Sequence, residues 1–494
     1  MTEHSETSES RLIDTRRARH DAILASGGYP HRFERSAMAG ELQERYADLE
    51  PGAETADEVT VAGRLMLHRS FGKLQFGTLQ DASGTIQLFV ERGAAGEELA
   101  DQFAELDLGD WVGVGGIIMT TKRGELSVKV DDLTLLQKAL RPLPDKWHGL
   151  VDVETRSRQR YLDLMVNPKA RETAFTRARV VSELRRQFES RGFVEVETPV
   201  LLTQATGALA RPFLTHHNAL DIQLQLRIAT ELYLKRLVVG GMEKVFEIGR
   251  IFRNEGIDST HNPEFTMLEA YQAFADYRDI IVLVEEVITA VAQSALGGPT
   301  TTYQGRELSF ESTYRRVKLV DLVSEFVGET VDFDTGPDRL AALLGEREVT
   351  AQESWGSGKR LFELYELAIA GIWEPTFVMD FPTEVSPLSR KSPDDPRATE
   401  RFELVIAGAE YCNAFSELND PDDQRERFEE QALARAAGNE EAHVIDHDYV
   451  QALEFGLPPT GGLGIGVDRL VMLLTDQPHI REVILFPTLR PESS

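Results

Sequence analysis

The stretch from Val245 to Tyr271, VFEIGRIFRNEGIDSTHNPEFTMLEAY, constrains the fold more than any other part of the chain. Val245 to Arg253 carries Val, Ile and two Phe residues, which suit a pleated, half-buried surface. Asn254 to Pro263 holds Asn, Gly, Asp, Ser and Pro, the turn-forming set. A second strand is expected from Glu264 to Tyr271. Its period of two puts Phe265, Met267, Glu269 and Tyr271 on one face. Arg253, Glu255 and His261 lie at or near the loop. One hairpin thus offers a cation for phosphate, an aromatic face for a base and a carboxylate further in. On this stretch alone, a surface hairpin with a charged tip is an equal reading.

The rest of the chain divides by pattern. Residues from about 11 to 50 are polar and helical in pattern, and Pro51 and Gly52 end this arm, so 1–57 reads as a helical N-terminal arm. VTVAGRLML, KLQFGTLQD, TIQLFVERG, WVGVGGIIMT and ELSVKVDDLTLL then read as five strands, with a helical piece near Ala95 to Glu105. Ser83–Gly84 and Arg123–Gly124 supply breaks. This predicts a small closed barrel over 58–142, with the OB-fold as the natural candidate. LRPLPDKWHGL carries two prolines and marks a linker over 143–165. An amphipathic helix is expected from Ala170 to Arg191, ended by Gly192, followed by a strand from Phe193 to Pro199. RIATELYLKRLVVGG reads as a helix in which Glu231 is the only acid. Residues 300–374 read as an insertion of helices around a polar region. Its GSGK run is no phosphate loop, because Glu353 stands where Gly is needed and Arg360 where Ser or Thr is needed.

FELVIAGAEYCNAFSELND spaces Glu403, Glu410 and Glu417 seven apart. One reading is a helix with an acidic stripe. The other is a hairpin turning at Ala407 and Gly408, which puts Glu403 and Glu410 on one face, suited to magnesium. Glu417 then has the opposite parity and joins them only if a bulge or a turn intervenes. Gly461 to Gly466 is a glycine-rich strand running into a helix from Val467, with Arg469 in its first turn. REVILFP reads as a last short strand.

Bulk properties exclude some classes. A net charge of −29 argues by itself against a nucleic-acid partner, since phosphate contacts need Lys and Arg. Only local clusters could reverse that: Arg11, Arg16, Arg17 and Arg19, or Arg156, Arg158 and Arg160. A solvated helix face is the plainer reading of each. Cys412 is the only cysteine, which excludes an internal disulfide and a multi-cysteine zinc site. It is expected to be a small buried residue. MTEHSETSES has no apolar core and no run is long enough to span a membrane, so a cytoplasmic protein is expected.

FRNEG followed by THNPEFTMLEAY resembles the second signature motif of the class II aminoacyl-tRNA synthetases, and among them the lysyl enzymes. The helix–strand–Pro199 unit resembles the first motif, which forms the dimer interface in that family. GLGIGVDRL resembles the third. The resemblance runs from about Val59 to Pro491. It implies an α+β fold: an N-terminal OB-fold anticodon-binding barrel, then a class II catalytic domain over 166–494 with a six- or seven-stranded antiparallel sheet flanked by helices. It implies that ATP, magnesium, L-lysine and tRNA(Lys) meet in a homodimer that makes lysyl-adenylate and transfers it to the tRNA. In that family pattern Arg253 holds the α-phosphate, Glu255 and Asn262 face the adenosine, and His261 lies near the outer phosphates. Phe265 and Arg469 sandwich the base, and Glu403 and Glu410 hold magnesium. Glu231 and Glu417 pair with the lysine ε-amine. Tyr271, Asn413 and Phe415 line its stem, with Gly207 and Arg253 at its other end. Phe76 stacks on an anticodon base while Gln87 and Glu125 read base edges. The chain departs from the pattern at Thr206, where the family has a second Gly, at Thr230, where many members have Pro, and at His68, where Arg is common. A sister enzyme for an acidic amino acid would need a cation in the pocket instead. A ligase that lysylates proteins, or a regulatory relative without catalysis, is opposed by the barrel and by the joint presence of Arg253, Glu403, Glu410 and Arg469.

Overall fold

A computed structural model describes residues 8–144, 150–204, 206–208, 210–311, 313–436 and 445–491. The chain forms two compact units, Met1–Gly149 and Leu150–Ser494. Part of the expected linker, 145–149, and the first seven residues lie outside the described residues.

In the first unit the N-terminal arm is two helices, Ser8–Ala25 and Ala39–Arg45, rather than one run. Gly27 and Gly28, both at positive φ, end the first. Its arginines are not a free basic surface throughout. Arg16 is buried and donates to the carbonyls of Ala139 and Arg141, both at 3.1 Å, and Arg19 pairs with Asp107 at 3.1 Å. The five expected strands are β1 (Glu54–Phe71), β2 (Leu74–Gln80), β3 (Thr85–Glu91), β4 (Trp111–Thr120) and β5 (Leu126–Gln137). They close in the order β1-β2-β3-β5-β4. Inward positions such as Val61, Leu79, Leu88, Val114 and Val128 are fully buried, as the alternation requires.

The second unit is built on an eight-stranded sheet, with a two-stranded and a three-stranded sheet beside it among the described residues. After β6 (Val194–Glu195), β7 (Leu201–Leu202), β8 (Leu214–His217) and β9 (Ile222–Leu226) come the hairpin strands β10 (Lys244–Phe252) and β11 (Glu264–Ala273). Next are β12 (Thr300–Tyr303), β13 (Arg306–Ser309), β14 (Arg315–Lys318), β15 (Thr376–Pro382), β16 (Ala398–Ile406), β17 (Ala409–Ser416) and β18 (Thr460–Gly466). The main sheet runs β14-β15-β16-β17-β18-β11-β10-β6. It exceeds the expected six or seven strands, and its outermost pairs, β14–β15 and β10–β6, are parallel. The helix Pro168–Glu189 packs Val180, Leu184 and Phe188 into the main core, and Gly192 at φ +82° turns the chain into β6. That strand is shorter than expected, because pairing with β10 stops at Glu195.

Two further expectations fail. The 300–374 block is not loosely organised around polar residues. Leu319, Leu340, Leu361, Leu364 and Tyr365 build an apolar cluster against Val378, Phe381 and Val405 of the sheet. REVILFP forms no strand: Ile480–Val483 is a short helix, and Arg160 donates to the carbonyl of Arg481 within it (2.8 Å) and to that of Leu485 just beyond it (3.0 Å). Arg156, Arg158 and Arg160 are likewise engaged internally, with Asp163, Glu482 and Glu154.

Candidate active site

One face of the main sheet forms a cleft of about 500 Å³. Its floor follows from strand register. Tyr271, Gly462 and Phe415 lie in one row across β11, β18 and β17, and Glu269, Gly464 and Asn413 lie in the next. The glycines are a steric requirement: a Cβ at Gly462 would collide with Glu417 Oε1 and with the Tyr271 ring. Phe265, Met267, Glu269 and Tyr271 all line the cleft, as the alternation of β11 requires.

The hairpin loop closes one end. The half-buried Arg253 guanidinium lies 5.3 Å from the Phe265 ring centroid and donates to the Ile228 carbonyl at 3.4 Å. Burial lowers its pKa, opposed by Glu255, Glu269 and Glu410. His261 is exposed, fixed by Asp258 at 2.8 Å, and its Nε2 stands 3.4 Å from Arg469. Asp258, partly desolvated but accepting backbone N–H bonds from Thr260 and His261 besides the imidazole, is held down at about 2. Asn262 is buried and its Oδ1 has no protein partner. Glu255 is exposed on the cleft rim. Arg469 donates to the Glu410 carbonyl at 3.0 Å. Its neighbour Asp468, which sequence reasoning passed over, ties the three motif regions together. It accepts from the Thr266 N–H and pairs with Arg177 of the helix Pro168–Glu189, both at 2.5 Å.

The Glu403–Glu410–Glu417 series is a hairpin, not a helix. Ala407 (φ +48°) and Gly408 (φ +78°) make its turn. A bulge then leaves Tyr411 unpaired, since Val405 faces Glu410 while Leu404 faces Cys412. That extra residue resets the parity, so Asn413, Phe415 and Glu417 follow Glu410 on the cleft side. Glu403 accepts from Arg401 and from the Tyr365 hydroxyl, each at 2.6 Å. Burial and then Glu410 push its pKa up to about 7, against Arg401. The two carboxylates are hard oxygen donors of the kind magnesium takes, with Arg401 on Glu403 and Arg469 3.8 Å from Glu410 balancing them in the free protein. Cys412 is buried and its thiol is pushed up by burial, so it is no nucleophile.

The deep end of the cleft is anionic. Glu231 opens the helix Glu231–Val239 and lines the cleft. Glu417 is 2% exposed and sits behind Tyr271 and Phe415. Between the two carboxylates lies Lys235, fully buried, 2.5 Å from Glu231 and in direct contact with Glu417. Burial alone would depress its ammonium, but Glu231 and Glu417 outweigh that and raise it. Sequence reasoning missed Lys235, although Glu followed four residues later by Lys is a readable helix pair. Glu269 adds a third buried carboxylate. It accepts from the Thr230 N–H at 3.2 Å, its other oxygen has no partner, and burial followed by Glu231 holds it at about 7. The departures have local roles: Thr230 supplies that N–H, and Thr206 donates to Asp446 at 3.2 Å. Gly207, at φ +94°, brings the backbone against Ala229 and Glu231.

In the barrel, Phe76 is half-buried on the outer face, against Phe89 at 5.4 Å and Phe71 at 6.2 Å between ring centroids. Gln87 shares that face and accepts from Ser127 at 2.9 Å, and Glu125 is exposed at the start of β5. The register puts Arg69, not His68, directly across from Phe76. His68 pairs with Gly77 and packs on Phe103.

Residues 152–490 match the family of class II tRNA synthetases for D, K and N, and residues 59–136 match the OB-fold nucleic acid binding domain. The chain is 50% identical to the lysine–tRNA ligase of Halalkalibacterium halodurans, with 98% of this chain and 97% of that one covered. It is 52% identical to the lysine–tRNA ligase of Synechococcus, with 98% and 97% covered. It is 50% identical to that of Bacillus subtilis, with 99% of each covered.

Proposed function

The chain belongs to the lysine–tRNA ligases of the class II tRNA synthetase family, and on that premise we propose how its cleft selects and activates the amino acid. The reaction is ATP-dependent activation of L-lysine to lysyl-adenylate, then transfer to the 3′-terminal adenosine of tRNA(Lys). The observation that carries the lysine reading is the group of buried carboxylates, Glu231 and Glu269 lining the deep end of the cleft and Glu417 just behind it, opposite the Arg253 end. An unpaired ammonium is costly to bury, and an acidic substrate would meet net repulsion there, since three carboxylates outnumber the one ammonium of Lys235. Glu231 and Glu417 supply the charge for the ε-ammonium, Tyr271, Asn413 and Phe415 line the stem, and Gly207 and Arg253 hold the α-amino and carboxylate ends.

Adenylation needs no protein nucleophile. It needs the lysine carboxylate in line with the α-phosphate and positive charge where charge builds up. Arg253 meets both needs, with His261 toward the outer phosphates and Phe265 and Arg469 on the adenine. Glu255 and Asn262, whose Oδ1 is free, face the adenosine. Glu403 and Glu410 would hold magnesium, which when bound neutralises phosphate charge. On the barrel, Phe76 offers a stacking face for an anticodon base, flanked by Gln87, Glu125 and Arg69. The exposed Val194, Val200 and Leu201 beside the edge strand β6 support a homodimer through the first motif. Among the described residues no helix is long and apolar enough to cross a membrane, which fits a cytoplasmic site of action. ATP–pyrophosphate exchange across the amino acids tests this reading. Exchange with lysine is expected, and exchange only with aspartate or asparagine would refute it.

A further inference from the structure

The fully buried ammonium of Lys235 stands between the two carboxylates assigned to the substrate's ε-amine. Neither Lys235 nor Glu417 lines the cleft, whereas Glu231 does. A cation lying beneath a cation-binding pocket costs desolvation and repels the ligand, so its effect must lie in the charge it sets. Charged and titratable groups face it from every side. On its own helix are Glu231 and Arg236, the latter turned to Asp446 and Asp448 at 3.0 Å. From β11 come Tyr271, with its ring 5.8 Å away, and Glu269, which acts on Glu231 and Glu417. Glu417 follows β17, and Tyr449 approaches from the helix His447–Glu454 at 5.9 Å. Burial keeps both tyrosines protonated.

The sum is direct. Burial pushes the Glu417 and Glu269 carboxyls up, Lys235 opposing it at Glu417, so their charges are fully developed only with cations in place. All three ionised, Glu231, Glu269 and Glu417 bring three negative charges, and Lys235, in contact with Glu231 and Glu417, cancels one. Two remain, and the lysine monocation brings two ammonium groups, while its carboxylate is left to Arg253. Without Lys235 the pocket would carry one negative charge too many and would have to take up a proton or a second cation.

Resting on the lysine-activation reading, we propose that Lys235 is the charge-setting residue of the amino-acid pocket. It neutralises one carboxylate from behind, so that the pocket accepts one side-chain ammonium, and it acts through Glu231 and Glu417 without touching the substrate. Position supports this over a packing role, because a methionine would fill the same space among Tyr271, Phe415 and Tyr449 without a buried charge.

The test is a charge-restoration cycle in the full-length protein. E417Q leaves Lys235 to cancel one of the two remaining carboxylates, so a single negative charge faces the two ammonium groups of the substrate. Its kcat/KM for lysine in pyrophosphate exchange should fall about 100-fold or more. K235M/E417Q removes one charge of each sign with near-isosteric groups and restores the sum, so lysine use should recover about tenfold or more over E417Q. The KM for ATP should stay unchanged throughout. Because K235M alone can fold poorly, a ratio supplies the second readout. L-2-Aminoheptanoic acid, the neutral lysine isostere with a methyl group in place of the ammonium, is titrated as a competitive inhibitor beside lysine, and the preference for lysine should fall in E417Q and return in the double variant. That ratio cancels the folded fraction. A double variant no better than E417Q, or a silent E417Q, overturns the charge-setting role. Wild-type protein that does not exchange with lysine overturns the underlying reading as well, so the two failures are distinct.

Discussion

Glu269→Gln should stabilise the free protein and impair it as an enzyme, with a pH signature that isolates the buried charge. Glu269 is buried, one of its oxygens has no partner, and its carboxyl is held at about 7 by burial and Glu231. A raised folded-state value means that the group's contribution to stability is fully present below the ordinary carboxylate range. It is lost as pH rises through about 7. Relative to an ordinary value of 4.5, full ionisation costs about 3 kcal/mol. Glutamine keeps the shape and can still accept the Thr230 N–H, but it never ionises. The stability gain of the variant over wild type should therefore grow by about 2 kcal/mol between about pH 5 and about pH 8. Calorimetric or denaturant unfolding of both proteins at the two pH values measures it. The substrate then loses a counter-charge, so kcat/KM for lysine should drop by roughly 100-fold at the higher pH. Parallel stability curves for the two proteins would show that Glu269 never holds a buried charge and would refute the argument.

Phe76→Ala should weaken tRNA binding by about 1–3 kcal/mol while lysine-dependent exchange is unchanged; equal loss in both assays would make Phe76 a core residue. Arg69→Ala should weaken the same binding and lower its salt slope by about one, measured by titration at graded ionic strength. Removing divalent ions with EDTA should stop exchange, and Glu410→Gln should raise the magnesium concentration needed to restore it. Asp468→Asn breaks the tie to Arg177 and should cost about 1.5–3 kcal/mol of stability and raise the KM for ATP, because Arg469 loses its fixed neighbour.

The hairpin was legible because its information is local. Alternation in β11 places Phe265, Met267, Glu269 and Tyr271, and the register with the glycines of β18 places them against a flat floor. The barrel was legible for the same reason, strand by strand. What escaped depends on a single residue of register or on partners distant in sequence. The bulge at Tyr411 carries no signature, yet it decides whether Glu417 shares a face with Glu410. The barrel register moves the cation beside Phe76 from position 68 to position 69. Lys235 reads as an ordinary helix pair with Glu231 until the chain brings Glu417 against it from nearly two hundred residues away.

Net charge misled for a related reason. The total of −29 speaks to solubility and to the long-range field, but recognition is settled within about 10 Å, the screening length in ordinary salt. Within that range the chain holds opposite environments. The outer barrel face sets Arg69 across from Phe76, which packs against Phe71 and Phe89, a pairing of cation and aromatic face suited to a polyanion's phosphate and base. The deep end of the cleft and the core behind it set three buried carboxylates against one ammonium, an environment suited to a cationic ligand. A protein that must hold both an amine and a polyanion has no use for a uniform surface. The sum over all residues therefore carries little information about either ligand, and the sign of the charge at each site does.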